Sequence, residues 1–575
     1  MSQTEALENT AKIGEQVLPT EFGHDNRMAE WTGEPTVLSQ NGHQNPPEGP
    51  WAARAEEANF RYRWVILIGL ILAAIMEVLD TTIINVALPQ MAGNLGTTTQ
   101  EIAWVSTAYI LANVIVLPMT AFLNARFGRR AYLAGSVIIF TITSFLCGTS
   151  QGLGEIVVWR ILQGAAGAAL ISTAQATLVQ IFPPREQAVV QPLFLMGLVV
   201  APTIGPTLGG FITDAAHWSW CFFINIPVGA LAAVLVLMLL RDTEATRAGE
   251  PVDWLGVGLL AVGLGSLQYV LQEGQTNDWF ADPLITQLTV LSVITLLALV
   301  FWQLSPRNTH PVVDFRVLKN PSLTGGIVLF IGAGMGLYGV TYLYPLLAQV
   351  VHGFSALQTG LALLPGGVAT AVGVVFCGVV SSNPKTPVDA RLLTLIGIVL
   401  SVTAMWQLAH LSPDSGVGDT FWPLLLRGFS IGFLIVPVNQ LAIASLAPAE
   451  VTQGTGLLGL ARQLGGSIGV AILATALDTS ANVNRANLIG YLTPDSDAFN
   501  DRLAGLTRGL IGQGYGASDA HQAALSILDQ TLTHQALTMA FNDTFYLLVF
   551  LSVITAPILF LIRKPKAGAT VSPIH

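Results

Sequence analysis

Residues 76–96 read MEVLDTTIINVALPQMAGNLG, and they close an apolar run that begins at Trp64. A helix of about twenty such residues crosses a hydrocarbon core of about 30 Å, yet this run carries two acids. Glu77 and Asp80 are three residues apart, and Thr81 and Asn85 continue the row at four and eight residues from Glu77. At helical spacing these four share one face. An ionised side chain at bilayer depth costs at least about 2.5–3.5 kcal/mol, so it needs a reason to be there. One reason is a buried structural acid, satisfied by neighbouring hydroxyls or an arginine. The other is a proton-binding carboxyl. Burial disfavours the charged form, so a small change of surroundings between two conformations would load and unload a proton. In both cases the polar stripe looks into a bundle or a cavity.

The remainder of the chain supports the membrane reading. Of its 575 residues only 10% are charged, against roughly 25% in soluble domains, and mean hydropathy is +0.60. Apolar runs of span length recur near 64–88, 102–123, 131–149, 156–181, 187–212, 222–240, 253–272, 283–304, 322–345, 357–380, 389–411, 420–445, 454–477 and 541–562. They lack the charged outer face of soluble amphipathic helices. Short connections join them, apart from a long loop expected at about 478–540.

Residues 1–63 differ: ten acids face five bases with no apolar run. They are expected to be a disordered tail, and they lack the apolar core of a signal peptide. The acidic balance, net −10 overall, argues against a nucleic-acid partner. Cys147, Cys221 and Cys377 fall in or beside apolar runs and read as small packing residues.

Lys and Arg fix the orientation. With the N-terminus cytoplasmic, eighteen of the 25 bases fall in the tails or inside loops, including Arg126, Arg129, Arg130, Arg185, Arg241, Arg247, Lys385 and the terminal Arg563, Lys564 and Lys566. The short outside loops carry none, and the long one carries Arg485, Arg502 and Arg508. Fourteen spans with both termini inside satisfy this pattern.

Three further segments are chemically distinctive. Span four, VVWRILQGAAGAALISTAQ, holds Arg160 well inside it, with Gly164 and Gly167 behind it on a small-residue face. Arginine keeps its charge, so Arg160 needs a carboxylate or several carbonyls. It is either a structural anchor or the partner of an acid on span one. Span five, MGLVVAPTIGPTLGGFI, packs Pro202, Gly205, Pro206, Gly209 and Gly210 into nine residues. That composition gives a kinked, smooth helix able to slide on a neighbour. The loop LNARFGRRAYL turns at Gly128 between Arg126, Arg129 and Arg130.

A related plan returns in the second half: PVDARLLTLIG opens span eleven, LLLRGFSIG lies in span twelve, and ARQLGGSIGV lies in span thirteen. Asp389, Arg391, Arg427 and Arg462 are therefore candidate counterparts of the first-half charges. Parallel repeats of this order, near 64–240 and 322–563, are a transporter pattern.

These segments resemble the major facilitator superfamily, and within it the fourteen-span drug:proton antiporters of the EmrB/QacA kind, over about 64–563. MEVLDTTIINVALPQMAGNLG is similar to that family's first-span motif, with its acid at Asp80. LNARFGRR is similar to the loop called motif A, although Ala125 stands at its usual acid and Ala121 at its leading glycine. WRILQGAAGAA is similar to motif B, with the proton-linked arginine at Arg160. APTIGPTLGG is similar to motif C, the pattern associated with antiport.

The resemblance implies an all-α membrane protein with fourteen transmembrane helices. Two six-helix bundles (64–240 and 322–563) would flank a linker at 241–321 that holds two extra spans at 253–304, and 564–575 would form a cytoplasmic tail. It also implies a multi-pass bacterial inner-membrane protein that exports amphipathic small molecules by proton antiport. Glu77, Asp80 and Arg160 would couple protons, and Thr81, Asn85, Gln163 and Gln440 are candidates for lining the cavity. The coupling ion is the proton, with no other cofactor and no metal. A periplasmic adaptor and an outer-membrane channel are the implied partners.

The alternative is a carrier of the same fold for a specific metabolite or siderophore-like compound. An enzyme would need a catalytic constellation. The histidines (His310, His352, His521 and His534 among them) are scattered without HExxH spacing, and no GxxxxGK[ST] phosphate loop occurs.

Overall fold

The computed structural model describes residues 50–242, 251–381, 388–443, 446–447, 450–493 and 495–561. The tail 1–49, Arg247, Lys385, Arg563, Lys564, Lys566 and the segment 564–575 lie outside the described residues. Among the described residues the regular structure is helical. Thirteen helices are long and apolar enough to cross a bilayer, and a fourteenth is bent.

The first six spans are Glu57–Leu95, Trp104–Phe127, Arg129–Thr149, Leu153–Ile181, the bent pair Val189–Pro202 with Thr207–Thr213, and Trp220–Leu239. Spans seven and eight are Trp254–Glu273 and Pro283–Leu304. Spans nine to fourteen are Pro321–Val351, Gln358–Ser381, Ala390–Leu408, Val417–Ile443, Val451–Ile489 and Ala517–Leu559. The 45° bend in span five falls where a proline at 206 removes the backbone bond to the residue four earlier, itself a proline.

Two expectations need correction. Residues 50–63, assigned above to a disordered tail, are helical, and the first helix runs 46 residues from Pro50 to Leu95. Proline suits the first helical position, and Ala, Glu and Arg propagate the helix. This extension is anchored to the bundle. The Arg63 guanidinium donates through Nε and Nη2 to the two oxygens of Glu186, both at 2.9 Å. Asn59 exchanges hydrogen bonds with the Arg241 backbone.

The stretch 478–540, expected as a loop, is mostly helix as well. Span thirteen continues to Ile489, a separate helix covers Asp497–Gly512, and the last helix begins at Ala517. Arg485 pairs with Asp529 at 2.6 Å across the two long extensions. The sequence here is more polar than the spans, while its Ala, Leu and Gln still favour helix.

The inserted hairpin is pinned at one carboxylate. Asp253 accepts from the Gly256 amide, Trp302 Nε1, Gln303 Nε2 and Asn308 Nδ2. Span seven lies against both halves. Trp104 of span two meets Tyr269 at 5.7 Å between ring centroids, and Gln268 and Trp279 donate to Ser467 and Thr475 of span thirteen. Span eight turns Val293, Ile294, Leu297 and Phe301 outward, as a lipid-facing helix does. The three cysteines are buried and free.

The halves also touch directly. Span five packs along span ten. At the basic-loop end, a side chain on Gly456 of span thirteen would meet Thr120 Oγ1 at 3.2 Å and the Leu117 carbonyl at 3.5 Å. The two halves are therefore in contact at that end.

Candidate functional site

Spans one, three, four and six converge on Asp80, whose side chain is fully buried. Arg160 Nη1 donates to Asp80 Oδ2 at 2.5 Å and to Gln163 Oε1 at 2.8 Å, and its Nε donates to the Val105 carbonyl of span two at 2.9 Å. The other Asp80 oxygen accepts from Gln163 Nε2 at 3.2 Å and Asn225 Nδ2 at 3.0 Å. Asn225 also donates to Ser144 Oγ, which donates to the Phe222 carbonyl. The Tyr109 ring covers the guanidinium, 4.2 Å from its carbon to the ring centroid. A buried charge pair is tolerable only when its remaining donors and acceptors are met, and here two helices besides its own supply them.

The small residues behind Arg160 permit this closeness. A side chain on Gly164 or Gly167 would strike Tyr109, so span two could not bring the ring over the guanidinium.

Glu77 is held differently. It is 8% exposed; Oε1 accepts from Asn113 Nδ2 of span two at 3.0 Å, and Oε2 is buried without a partner. From the opposite half, Arg462 of span thirteen lies within electrostatic reach of Glu77, with its own Nε buried and unpartnered. A carboxyl with one oxygen free takes up a proton without breaking a hydrogen bond. Asp80 has no such freedom.

The row of four polar residues is thus split among neighbours. Thr81 returns its hydroxyl to the Val78 carbonyl of its own helix. Asn85 is exposed and accepts from Ser106. Gln163, expected to line a cavity, belongs to the Asp80 network instead. Gln440 is half-buried on span twelve and takes no part in that network.

On span five, Gly205 and Gly209 face span one. A side chain on Gly205 would strike Thr82, and one on Gly209 would come within 2.8 Å of the Ile83 carbonyl. Gly210 has more room, its nearest atom being on Val86 at 4.0 Å.

In the loop after span two, Gly128 adopts φ 81°, which favours glycine. Arg130 is an anchor within its own half: its amide donates to Asp242, and its guanidinium donates to the Leu237 carbonyl. Arg126 and Arg129 flank the same turn.

In the second half, Asp389 caps span eleven, accepting from the Arg391 amide at 3.1 Å, so it stands at the end of a span, whereas Asp80 lies within one. Arg427 donates to the Leu337 carbonyl and Thr341 Oγ1, and it makes no ion pair with a described residue. Asn225, Ser144, Tyr109 and Asn113 were missed by sequence reasoning. An asparagine in the apolar run INIPVGALAAVLVLML and another in ILANVIVL were the available signals.

Comparison with known proteins agrees with this architecture. The family profile described as Major Facilitator Superfamily matches residues 62–470. Multidrug export protein EmrB of Escherichia coli K12 is 32% identical over 505 residues, covering 88% of this chain and 96% of EmrB. Fatty acid resistance protein FarB of Neisseria gonorrhoeae is 32% identical over 503 residues, covering 87% and 96%. Among solved structures, the human organic anion transporter MFSD10 aligns with a TM-score of 0.51 at 13% identity, covering 85% of this chain and 99% of that one.

Proposed function

Since the chain belongs to the Major Facilitator Superfamily, we propose that it is a proton-coupled multidrug exporter of the bacterial inner membrane, with both termini cytoplasmic. Multidrug export is the activity named for the relative EmrB, and amphipathic small molecules are the substrates proposed here. The observation that carries the reading is the pairing of two unlike acids on span one. Asp80 is sealed against Arg160, and Glu77 beside it keeps one oxygen free.

The two acids divide the work. Glu77, within electrostatic reach of Arg462 of the opposite half, is the entry point for a proton. Asp80 holds Arg160, and its neutralisation would weaken a charge-assisted bond that ties span one to span four. With that tie loosened, the halves part at the basic-loop end, where they now touch, and approach at the other, in alternating access. Return of the proton to the cytoplasm restores the pair while substrate leaves outward. Span five, which packs along span ten of the second half, is a seam on which this motion slides.

The helical extensions at 478–540 stand beyond the bilayer on the side away from the basic loops. They are the part of this chain placed to meet a periplasmic adaptor, which in turn joins an outer-membrane channel.

Everted vesicles carrying this protein and a fluorescent substrate test the proposal. An imposed proton gradient should drive dye transport, and Asp80→Asn should abolish it while the variant stays in the membrane. Undiminished transport by Asp80→Asn refutes the assignment.

A further inference from the structure

The two halves use corresponding spans, one with nine, three with eleven, four with twelve and six with fourteen. They treat their arginines in opposite ways, Arg160 being fully buried and Arg427 half-buried. In the first half, Arg160 of span four meets Asp80 of span one, backed by Ser144 of span three and Asn225 of span six. In the second half, Arg427 of span twelve meets only a carbonyl and a hydroxyl of span nine. Its Nε is buried and unpartnered. No described carboxylate takes the place of Asp80.

A cavity occupies that place. Arg427 lines it together with Leu337 of span nine, Thr394 and Ser401 of span eleven, and Ser552 and Thr555 of span fourteen. Thr394 is fully buried and Ser401 nearly so. The two serines have only the Met405 sulfur as side-chain partner, at 4.0 and 3.6 Å, so their hydroxyl protons are available to a better acceptor. The space is about 40 Å³, room for about three water-sized spheres, which matches a carboxylate group or a halide with one water. The rest of the wall is aliphatic, from residues such as Ile398, Ile431 and Leu434.

We propose that this cavity is a binding site for a monovalent anion, held by Arg427 and the hydroxyls of Ser401 and Ser552, which supplies the counter-charge that Asp80 supplies in the first half. The occupant is chloride or the carboxylate of a small organic acid. The physical reason is that a guanidinium in a low-dielectric bundle is costly without a counter-charge. The site lies within the second bundle, apart from the Asp80 network. The proposal does not depend on the transport reading, because binding is measured without a gradient.

The test uses full-length protein in lipid nanodiscs and equilibrium dialysis with radiolabelled chloride and radiolabelled butyrate, each as the sole added monoanion. Saturable binding of one anion per chain is expected, weakened at least tenfold in Arg427→Gln. Ser552→Leu, which fills the cavity and leaves the arginine in place, should weaken it by a similar factor and carries the test if Arg427→Gln does not fold. Binding of chloride alone identifies a halide site, and butyrate that binds or displaces chloride identifies a carboxylate site. Absence of saturable binding to the wild type overturns the proposal whatever the variants do. So does affinity left unchanged by a folded Arg427→Gln or Ser552→Leu.

Discussion

Asp80 accepts hydrogen bonds from spans four and six while sitting on span one, so its neighbours fail in different ways when changed. Arg160→Ala leaves a buried carboxylate without its cation and should lower stability by about 3–5 kcal/mol, as read by thermal unfolding in detergent. Asn225→Ala removes one bond to a charged group and should cost about 1.5–3 kcal/mol, with transport impaired but measurable. Glu77→Gln keeps an oxygen for Asn113 and should fold normally. Its efflux should lose its dependence on the proton gradient, and retention of that dependence would remove Glu77 from the coupling path.

Among the elements, the spans were legible because length and apolarity alone decide whether a helix can cross a bilayer. The polar extensions were not. Residues 478–489 and 517–540 carry helix-forming composition, but nothing in hydropathy separates a water-exposed helix from a loop. The acid and arginine of the site were legible as isolated charges in apolar runs. Their mutual contact, and the recruitment of Asn225 and Ser144, depend on which helix faces meet, and a single sequence does not state that.

Two predictions belong to this scale. Gly209→Val places a side chain against the Ile83 carbonyl and should impair transport with a lowered unfolding temperature, since span five could no longer approach span one. At the short helix Thr99–Ile102, Glu101 accepts from the Thr98 amide and hydroxyl, and the backbone bond first, then the hydroxyl, holds its carboxyl below the usual glutamate range. A lowered value in the folded state means that the cap contributes above the ordinary glutamate range and is lost as pH falls through the depressed value. The protection factors of the amides at residues 98–102, exchange being corrected for its intrinsic pH dependence, should fall in that acid window.

Across the whole molecule, the halves meet along spans five and ten and touch again at the basic-loop end, where Leu117 and Thr120 face Gly456. Span seven and the turn after it bridge them, with Trp104 on one side and Ser467 and Thr475 on the other. Linking Thr120→Cys to Gly456→Cys should stop transport, and a reductant should restore it. The buried native cysteines should stay inert to the oxidant.

The central claim is that span one releases and rebinds protons as the halves exchange sides. Adding a transported substrate to purified protein in weakly buffered solution should release protons to the medium, and the release should vanish in Asp80→Asn with Glu77→Gln. Proton release of undiminished size from a folded double variant would contradict the account.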